Sequence, residues 1–280
     1  YLYQNQQASG RMIFTVKNDF MISALLVNPD RCMSVTISCN EKNCNPIYHG
    51  IKGRCTRESL LCRRTSMKEM LSSHDYMHSI LSLHSKWGIG HMTEHFLPDD
   101  LFHEILDLLK SSNDELFFDE DHLCYLHSMT QRTLAESEID LFIHCQALSD
   151  LVVDGNLDFY DQKVHLTLSQ RKKYFNHLLH VFETNSNLTF KLAKEPMILD
   201  FKYQTNQCIF LSDQFSYIRL NTYNWANNLA IINHPNLKHM FDRFFNAVWN
   251  DATSELLSDY SEIHSFFIHI IQQINILSEI

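Results

Sequence analysis

Glycine and proline are scarce in this 280-residue sequence, which contains only 6 Gly and 5 Pro. The last glycine is Gly155, so the final 125 residues have none. Rossmann and P-loop enzymes need glycines where the backbone approaches phosphate groups, and neither GxGxxG nor GxxxxGK[ST] occurs here. The same scarcity excludes collagen-like structure and low-complexity linkers for most of the chain. Nucleotide enzymes of those two types are therefore excluded.

Long apolar runs and a disulfide pattern are also missing. No run reaches the roughly 18–20 residues of a membrane span, and no signal-peptide pattern opens the sequence. Eight cysteines in a chain of this length do not form a disulfide scaffold, and Cys145 and Cys208 are predicted to be small buried hydrophobic residues. We expect a cytoplasmic protein without membrane contact. Because the sequence begins at Tyr1, we also expect a segment upstream.

Basic residues are fewer than acidic ones, and the formal net charge is −10. Residues 94–121 carry ten acidic side chains against one lysine, whereas residues 51–70 carry a net positive charge. DNA binding depends on neutralising phosphates, so a chain of this charge should be repelled by DNA. We therefore expect any contact with DNA to be made through a separate module upstream of this chain.

The hydrophobic pattern predicts a mixture of strands and helices. Residues 12–27 and 33–38 alternate apolar and polar side chains, which is typical of a β-hairpin or meander. Residues 40–66 show no regular pattern. Trp87–Gly90 interrupts the helical pattern before it, and predicts a domain boundary near residue 90.

Later segments alternate between short strands and amphipathic helices. Thr167 and Gln170 form a capping box that predicts the start of a helix, and the helix after Asn233 has apolar residues at core-facing spacing. The predicted class is α+β or α/β, with a mixed sheet packed by helices. The predicted divisions are a β-rich part at 1–90, an α/β sensor-like domain at 91–250 and a long C-terminal helix at 251–280.

One metal-binding pattern is present. His91-Met92-Thr93-Glu94-His95 matches H-x-x-E-H, in which two histidines on one helix share a zinc ion and the glutamate activates its water. Glycines precede the motif and Pro98 follows it, so only about two turns of helix fit between them. We therefore predict no metal and no cofactor. A zinc-dependent hydrolase using His91, Glu94 and His95 is the alternative.

The most regular pattern lies at the C-terminus, where apolar residues follow heptad spacing over three repeats. Such a stripe must be buried, either against the chain's own domain or between two chains. Both possibilities remain open, and we predict a homodimer. The candidate dimerisation residues are Tyr260, Ile263, Phe267, Ile270, Ile274 and Leu277.

The region 138–250 contains three segments whose pattern is similar to that of a known group of proteins: Glu138–Ile143, Gln207–Leu220 and Ile231–Trp249. This region resembles the C-terminal effector region of helix-turn-helix transcriptional regulators from low-GC Gram-positive bacteria. The resemblance implies a sensor region, in some cases with a phospholipase D-like fold that lacks the catalytic residues. The H-x-K-x₄-D signature of active phospholipase D enzymes begins at His84 and Lys86, but His91 occupies its acidic position.

The combined prediction is a non-catalytic ligand-sensing and dimerisation region of a transcriptional regulator. Its ligand would be a small molecule of unknown identity, bound among aromatic residues that offer an apolar face with a polar tip. An arginine among them would hold a carboxylate or a phosphate. The candidate ligand-binding residues are Tyr203, Tyr217, Arg219, Tyr223 and Trp225.

Overall fold

The computed structural model describes residues 2–4, 11–28, 31–56, 59–73, 75–111, 119–194, 207–220, 228–250 and 256–279. The chain forms two compact units, Tyr1–Arg63 and Arg64–Ile280. The division therefore falls 27 residues before the boundary that Trp87–Gly90 predicted near residue 90. The long C-terminal helix belongs to the second unit and is not a division of its own.

Gly88 accounts for the sequence pattern that predicted a boundary near residue 90. It lies inside a central strand, and a Cβ atom at this position would lie 2.6 Å from Cζ of Phe142. Gly88 thus permits a close approach between neighbouring strands, which is a common use of glycine within a sheet. In the sequence, the same residue resembles a break between domains.

The first unit contains the predicted meander, and a helix follows it. Its elements are β1 (Leu2–Gln4), β2 (Arg11–Thr15), β3 (Met21–Asn28), β4 (Arg31–Ser38), α1 (Glu41–Cys55) and β5 (Ser59–Thr65), which ends in the second unit. Strands β2, β3 and β4 pair antiparallel in that order, and β1 pairs antiparallel with β5. Asn40 caps α1 by accepting a hydrogen bond from Lys42 N. Residues 40–66, which showed no regular pattern, thus contain a helix and a complete strand.

One face of this meander is apolar and open. Met12 lies opposite Ala24, which lies opposite Val35, and Phe14 lies opposite Ile22, which lies opposite Ile37. Directly opposed residues share a face, so these side chains form one surface. Met12, Phe14, Val35 and Ile37 are all exposed. The meander therefore buries little apolar surface.

The second unit is the α/β part of the molecule. Its first half comprises α2 (Met67–Ser72), α3 (Asp75–Ile80), β6 (His84–Ile89), a 3₁₀ turn (Glu94–Phe96), α4 (Asp99–Ser111), α5 (Glu120–Glu136), β7 (Glu138–His144), α6 (Cys145–Asp154), β8 (Asn156–Phe159) and β9 (Gln162–His165). Its second half comprises α7 (Leu168–Thr184), β10 (Leu188–Ala193), β11 (Cys208–Ser212), β12 (Tyr217–Arg219), β13 (Leu229–Ile232), α8 (Pro235–Asn250), β14 (Leu256–Leu257) and α9 (Tyr260–Ser278). The predicted capping box at Thr167 and Gln170 is present at the start of α7.

A mixed sheet organises this unit, with strand order β13-β12-β11-β6-β7-β10-β14. Strands β6, β7 and β10 run parallel, whereas β11, β12, β13 and β14 pair antiparallel with their neighbours. Helices pack on the sheet as the hydrophobic pattern predicted. The predicted class, a mixed sheet packed by helices with a small β-rich N-terminal part and a long C-terminal helix, is confirmed.

The two faces of the sheet are covered differently. Alternate residues of β7, such as Leu141 and Ile143, join the main core with residues of α2 to α7 and α9. Phe142 points to the other face, where α8 contributes Phe245 as its one fully buried residue. The other predicted core-facing residues of α8 are less buried, and Met240 and Phe244 are exposed. Helix α8 is therefore held by fewer buried side chains than the helices of the main core.

None of the described helices combines the length and the hydropathy that a membrane crossing requires.

Candidate functional site

The H-x-x-E-H segment does not form one continuous helix. Strand β6 ends at Ile89, Thr93 has extended backbone angles, and only Glu94–Phe96 make a short 3₁₀ turn. His91 and His95 therefore do not share a helix face, as the zinc-peptidase motif requires. All three motif residues are nonetheless buried, and they enter a network of polar side chains in the core.

Arg219 lies at the centre of this network and is completely buried. Its Nη1 donates to both carboxylate oxygens of Glu94 at 2.9 Å, and its Nη2 donates to Oδ1 of Asp158 at 2.7 Å. Tyr76 OH and the backbone N–H of Tyr160 also donate to Glu94. Charge-assisted bonds of this kind replace the hydration that a buried ion loses. The network therefore joins β12 to the 3₁₀ turn and to β8.

Asp158 connects Arg219 to a second pair, His91 and Cys208. Its Oδ2 lies 3.2 Å from Nε2 of His91, and the Sγ of Cys208 lies 3.4 Å from Nδ1 of the same ring. The same sulfur lies 3.9 Å from Nε2 and donates to the backbone oxygen of His91 at 3.4 Å, so it contacts the side of the imidazole and is not in line with its Nδ1–H. The three residue types are those of cysteine-based catalytic triads, but the in-line hydrogen bond between histidine and sulfur that such triads use is absent between these residues.

Cys208, His91 and Asp158 shift one another's pKa values. Burial alone would lower the pKa of His91, but Cys208 and Asp158 beside it raise the pKa to about 10. Burial would raise the pKa of Asp158, yet Arg219 and His91 lower it to about 2. Burial likewise opposes ionisation of Cys208, but the neighbouring His91 brings the pKa of this thiol below its usual value.

His95 has a different environment, although it is only four residues away. Its Nδ1 lies 2.8 Å from Oγ1 of Thr93, and its ring stacks on Phe210 with centroids 4.9 Å apart. Trp87 contacts the ring edge-on at 5.3 Å. Burial in this aromatic setting lowers the pKa of His95 to about 4. His95 is therefore neutral at pH 7, whereas His91 is protonated.

The carboxylate that the zinc alternative needs, that of Glu94, is engaged elsewhere. Both of its oxygens accept hydrogen bonds from Nη1 of Arg219. In the described portion of the chain, no three or more His, Cys, Asp or Glu side chains are grouped so as to hold a metal ion. The zinc-dependent hydrolase stays a hypothesis, one that would require these ion pairs to open.

Two of the predicted ligand-binding residues lie in the same core. Tyr217 is buried and stacks on Phe210 with ring centroids 4.6 Å apart, and Arg219 is the centre of the network. The guanidinium of Arg219 already holds two carboxylates, although its Nε has no hydrogen-bond partner among the described residues. Tyr203, Tyr223 and Trp225 lie outside the described residues.

The candidate dimerisation residues divide into two groups. Ile263, Phe267, Ile270 and Ile274 are buried in the main core of their own chain, where Phe267 contacts Phe182 and Phe190. Tyr260 and Leu277 are exposed. The structure thus places most of the heptad stripe against the chain's own domain, which is one of the two arrangements that the sequence left open.

An open cleft lies at a different place, where β6 and β7 begin and α8 passes over the sheet. Its volume is 430 Å³, and its charged lining includes Lys86, Asp140, Lys238 and Asp242. Lys86 Nζ lies 3.3 Å from Oδ1 of Asp242, and both side chains are partly exposed. Burial raises the pKa of Asp140, and the charges of Lys86 and Lys191 oppose this increase.

Sequence reasoning missed most of this geometry. Asp158 and Cys208 are far from His91 along the chain, and no local spacing marks the three as partners. In the sequence, Lys86 belongs only to an incomplete phospholipase D signature. The sequence does contain one signal for this cleft. A charged residue alternates with its neighbours in each of three strands, namely Lys86 in β6, Asp140 in β7 and Lys191 in β10. Charged residues at such positions indicate that one face of the sheet is not fully covered.

Comparisons with known proteins add little. No family model matches the chain, and no curated protein matches it. Among solved structures, TrmBL2, described as an archaeal chromatin protein with a novel mode of DNA binding, aligns with a TM-score of 0.32 and 8% identity. The alignment covers 78% of this chain and 62% of that one. A similarity at this level supports no conclusion about function.

Proposed function

We propose that this chain is a cytoplasmic, non-catalytic ligand-sensing region of a transcriptional regulator, and that a separate module binds DNA. The sequence resemblance motivates the regulatory part of the proposal. The observation that carries the sensing part is the polar cleft between α8 and the starts of β6 and β7. Small-molecule sites are concave and have a few convergent polar groups, as this cleft does.

The charges in the cleft select a class of ligand. Lys86 and Lys238 come from the sheet and from α8, so an anionic group placed between them would bind to both elements. Asp140 would accept a hydrogen bond from a hydroxyl or ammonium group of the same molecule. Ser85 also lines the cleft, and its buried hydroxyl has no hydrogen-bond partner in the described structure. A small polar metabolite with a carboxylate or phosphate group fits these requirements.

The position of α8 suggests how binding would be transmitted. The helix has one fully buried residue. The ion pair between Lys86 and Asp242 is partly exposed to solvent, and such pairs contribute at most about 1 kcal/mol to stability. A ligand that takes the place of Asp242 at Lys86 would release this contact and favour another position of α8. A ligand shifts a conformational equilibrium only by its difference in affinity for the two states, and contact with both elements supplies such a difference.

Regulators that read paired DNA half-sites are two-fold symmetric, so we also propose that two copies associate. Since four residues of the heptad stripe are buried within the chain, the surface available for pairing is different. We place it on the exposed apolar residues of α8, which include Met240 and Phe244.

A thermal-shift screen of the chain with sugar phosphates, dicarboxylates and amino acids tests the sensing proposal. A ligand at a hundred times its Kd stabilises the folded state by about 2.7 kcal/mol, which raises Tm by several degrees. Lys86→Met should abolish the increase. Lys172→Met, which changes an exposed lysine on α7 outside the cleft, should preserve it. If no compound raises Tm, or if both variants respond like the wild type, the cleft is not a sensing site.

A further inference from the structure

The titratable side chains that line the cleft beside α8 do not all bind one another. Four of them form two pairs. Nδ1 of His84 lies 2.8 Å from Oε2 of Glu138, at the starts of β6 and β7. Nζ of Lys86 lies 3.3 Å from Oδ1 of Asp242, which joins β6 to α8. The remaining titratable side chains of the lining therefore determine which charges a ligand has to bring.

Asp140 is the half-buried acid among them, and its carboxylate has no hydrogen-bond partner or ion-pair partner among the described residues. Lys86 lies opposite Asp140 in the register of β6 and β7, but its Nζ binds Asp242 of α8. Lys191 of β10 also turns to α8, where its Nζ donates to the backbone oxygen of Trp249 at 2.8 Å. Both neighbouring lysines thus leave Asp140 without a bonded cation.

This carboxylate is a cost to the fold. Burial raises the pKa of Asp140, which means that the folded chain holds the ionised form less well than water does. An asparagine would have nearly the same shape and would avoid this cost. Groups that the fold alone does not favour are typical of binding sites, where function is retained at the expense of stability.

Lys238 supplies the opposite charge from α8. Its Nζ donates to the backbone oxygen of Asp213 at 3.1 Å, and no carboxylate binds it in the described part of the chain. Asp213 itself is exposed in the loop between β11 and β12, so water can solvate its carboxylate. The cleft therefore offers a ligand one half-buried anion on the sheet and one cation on the helix.

We propose, on the basis of the sensing function proposed above, that the ligand of this cleft is an amino acid whose ammonium group binds Asp140 and whose carboxylate binds Lys238. An ammonium group donates three hydrogen bonds and brings the positive charge that Asp140 lacks. Charge-assisted hydrogen bonds of this kind are roughly twice as strong as neutral ones. The bound molecule would connect the sheet to α8, the helix whose position the sensing proposal makes responsive.

Ligands that carry charge of one sign satisfy only half of the site. A dicarboxylate would bind Lys238 and place a second negative charge near Asp140, and such like-charge contacts oppose binding. A sugar phosphate would offer Asp140 a neutral hydroxyl, which makes a weaker hydrogen bond than an ammonium group does. A simple amine would pair with Asp140 and leave Lys238 without a carboxylate.

Thermal shift and titration calorimetry of the full chain test this assignment. The probes are the standard amino acids together with β-alanine and 4-aminobutyrate, in which the two charges are further apart. For each amino acid that raises Tm, the controls are the same compound without its ammonium group and the same compound without its carboxylate. We expect both controls to bind on the order of tenfold more weakly than the amino acid.

A substitution of the acid isolates its role. Asp140→Asn should raise the Kd of the amino acid on the order of tenfold and bring it close to the Kd of the compound without the ammonium group. Asp107→Asn, at an exposed acid of α4 outside the cleft, should leave both Kd values unchanged. A purely structural role of Asp140 would not alter this selectivity. Circular dichroism should show that Asp140→Asn is folded, because the substitution removes an unfavourable charge.

A substitution of the base completes the test. Lys238→Met should weaken the binding of the amino acid and of the compound without the ammonium group alike. Lys172→Met, the exposed control on α7, should weaken neither.

The possible failures are distinguishable. If a sugar phosphate or a dicarboxylate raises Tm through Lys86 while every amino acid leaves it unchanged, the amino-acid assignment is overturned and the sensing site stands. An Asp140→Asn chain that binds the amino acid as tightly as the wild type would also overturn the assignment. If no compound of any class raises Tm, the assignment and the sensing proposal fail together.

Discussion

The side chain of Arg219 is completely buried, and two carboxylates replace the hydration that its guanidinium loses. Arg219 lies on β12, Glu94 on the 3₁₀ turn and Asp158 on β8. The ion pairs among them therefore fix the relative positions of these segments. Removing one partner of such a buried network costs about 3–5 kcal/mol, because the remaining charge is left uncompensated. In the sequence, Arg219 was predicted to bind an external anion. Binding of an external anion stays a prediction, and in the structure the guanidinium pairs with two carboxylates of the protein itself.

At the same scale, His95 gives the protein a specific pH dependence. The folded-state pKa of about 4 lies below the usual value of 6.5, so between these values the unfolded chain binds a proton that the folded chain does not. Stability is thus retained above pH 6.5 and is lost as the pH falls towards 4, by on the order of 3 kcal/mol. Urea unfolding across this range measures the loss.

His95→Gln should remove this part of the acid sensitivity, because the titrating ring is gone while a polar group remains near Tyr76. His239→Gln, at an exposed position on α8, is the control and should keep the wild-type slope. A His95→Gln chain that loses stability between pH 6.5 and 4 as steeply as the wild type would contradict the assignment.

The sequence pattern of helix α9 is compatible with two different kinds of packing. Its heptad stripe is typical of paired helices, yet the same spacing suits a single helix that packs on a domain. In the structure Ile263, Phe267, Ile270 and Ile274 contribute to the main core beside α7 and β10. Helix α8 shows the opposite result, because its core-like spacing leaves Met240 and Phe244 exposed. Periodicity indicates which residues share a face, but only the tertiary structure decides what covers that face.

A charge in the middle of α9 distinguishes the two roles. Ile270 is 3% exposed, so Ile270→Asp should lower the free energy of unfolding by about 3–5 kcal/mol and leave the oligomeric state unchanged. Ile276 is 60% exposed, and Ile276→Asp should change stability by no more than about 0.5 kcal/mol.

Chemical unfolding and light scattering, applied to both variants, provide the measurements. A folded, monomeric Ile270→Asp protein derived from a dimeric wild type would show that the stripe pairs between chains. Dissociation by Ile276→Asp alone would instead place the dimer contact on the exposed side of α9.

At the scale of the whole molecule, the sequence sufficed for the fold class and not for its divisions. Alternating patterns identified the meander and several strands, and Thr167 and Gln170 correctly marked the start of α7, because each of these signals is local. No local pattern marks the division at 63/64, and Gly88, which predicted a boundary, serves a packing contact with Phe142 that no local pattern records. The polar network was missed for the same reason, as Cys208 and His91 meet only through the order of the strands.

The two units differ in how much apolar surface they bury, and this difference should be visible in their dynamics. In the described part of the first unit the buried apolar residues are few, namely Met21, Ala24, Cys44 and Cys62, and one face of the meander is exposed. The second unit has an extensive core on one side of its sheet. Local stability follows buried apolar contact, so the first unit should open more often.

Hydrogen–deuterium exchange followed by mass spectrometry measures this opening. We expect amides of β3 and β4 to exchange on the order of a hundredfold faster than those of β7 and β10, although all four strands are hydrogen-bonded to neighbours. Strand β7 pairs on both sides, with β6 and β10, and β3 pairs on both sides with β2 and β4, so these two strands are a matched comparison. Equal protection in β3 and β7 would mean that a surface outside the described contacts stabilises the meander, and its apolar face, with Phe14 and Ile37, is where that contact would have to be.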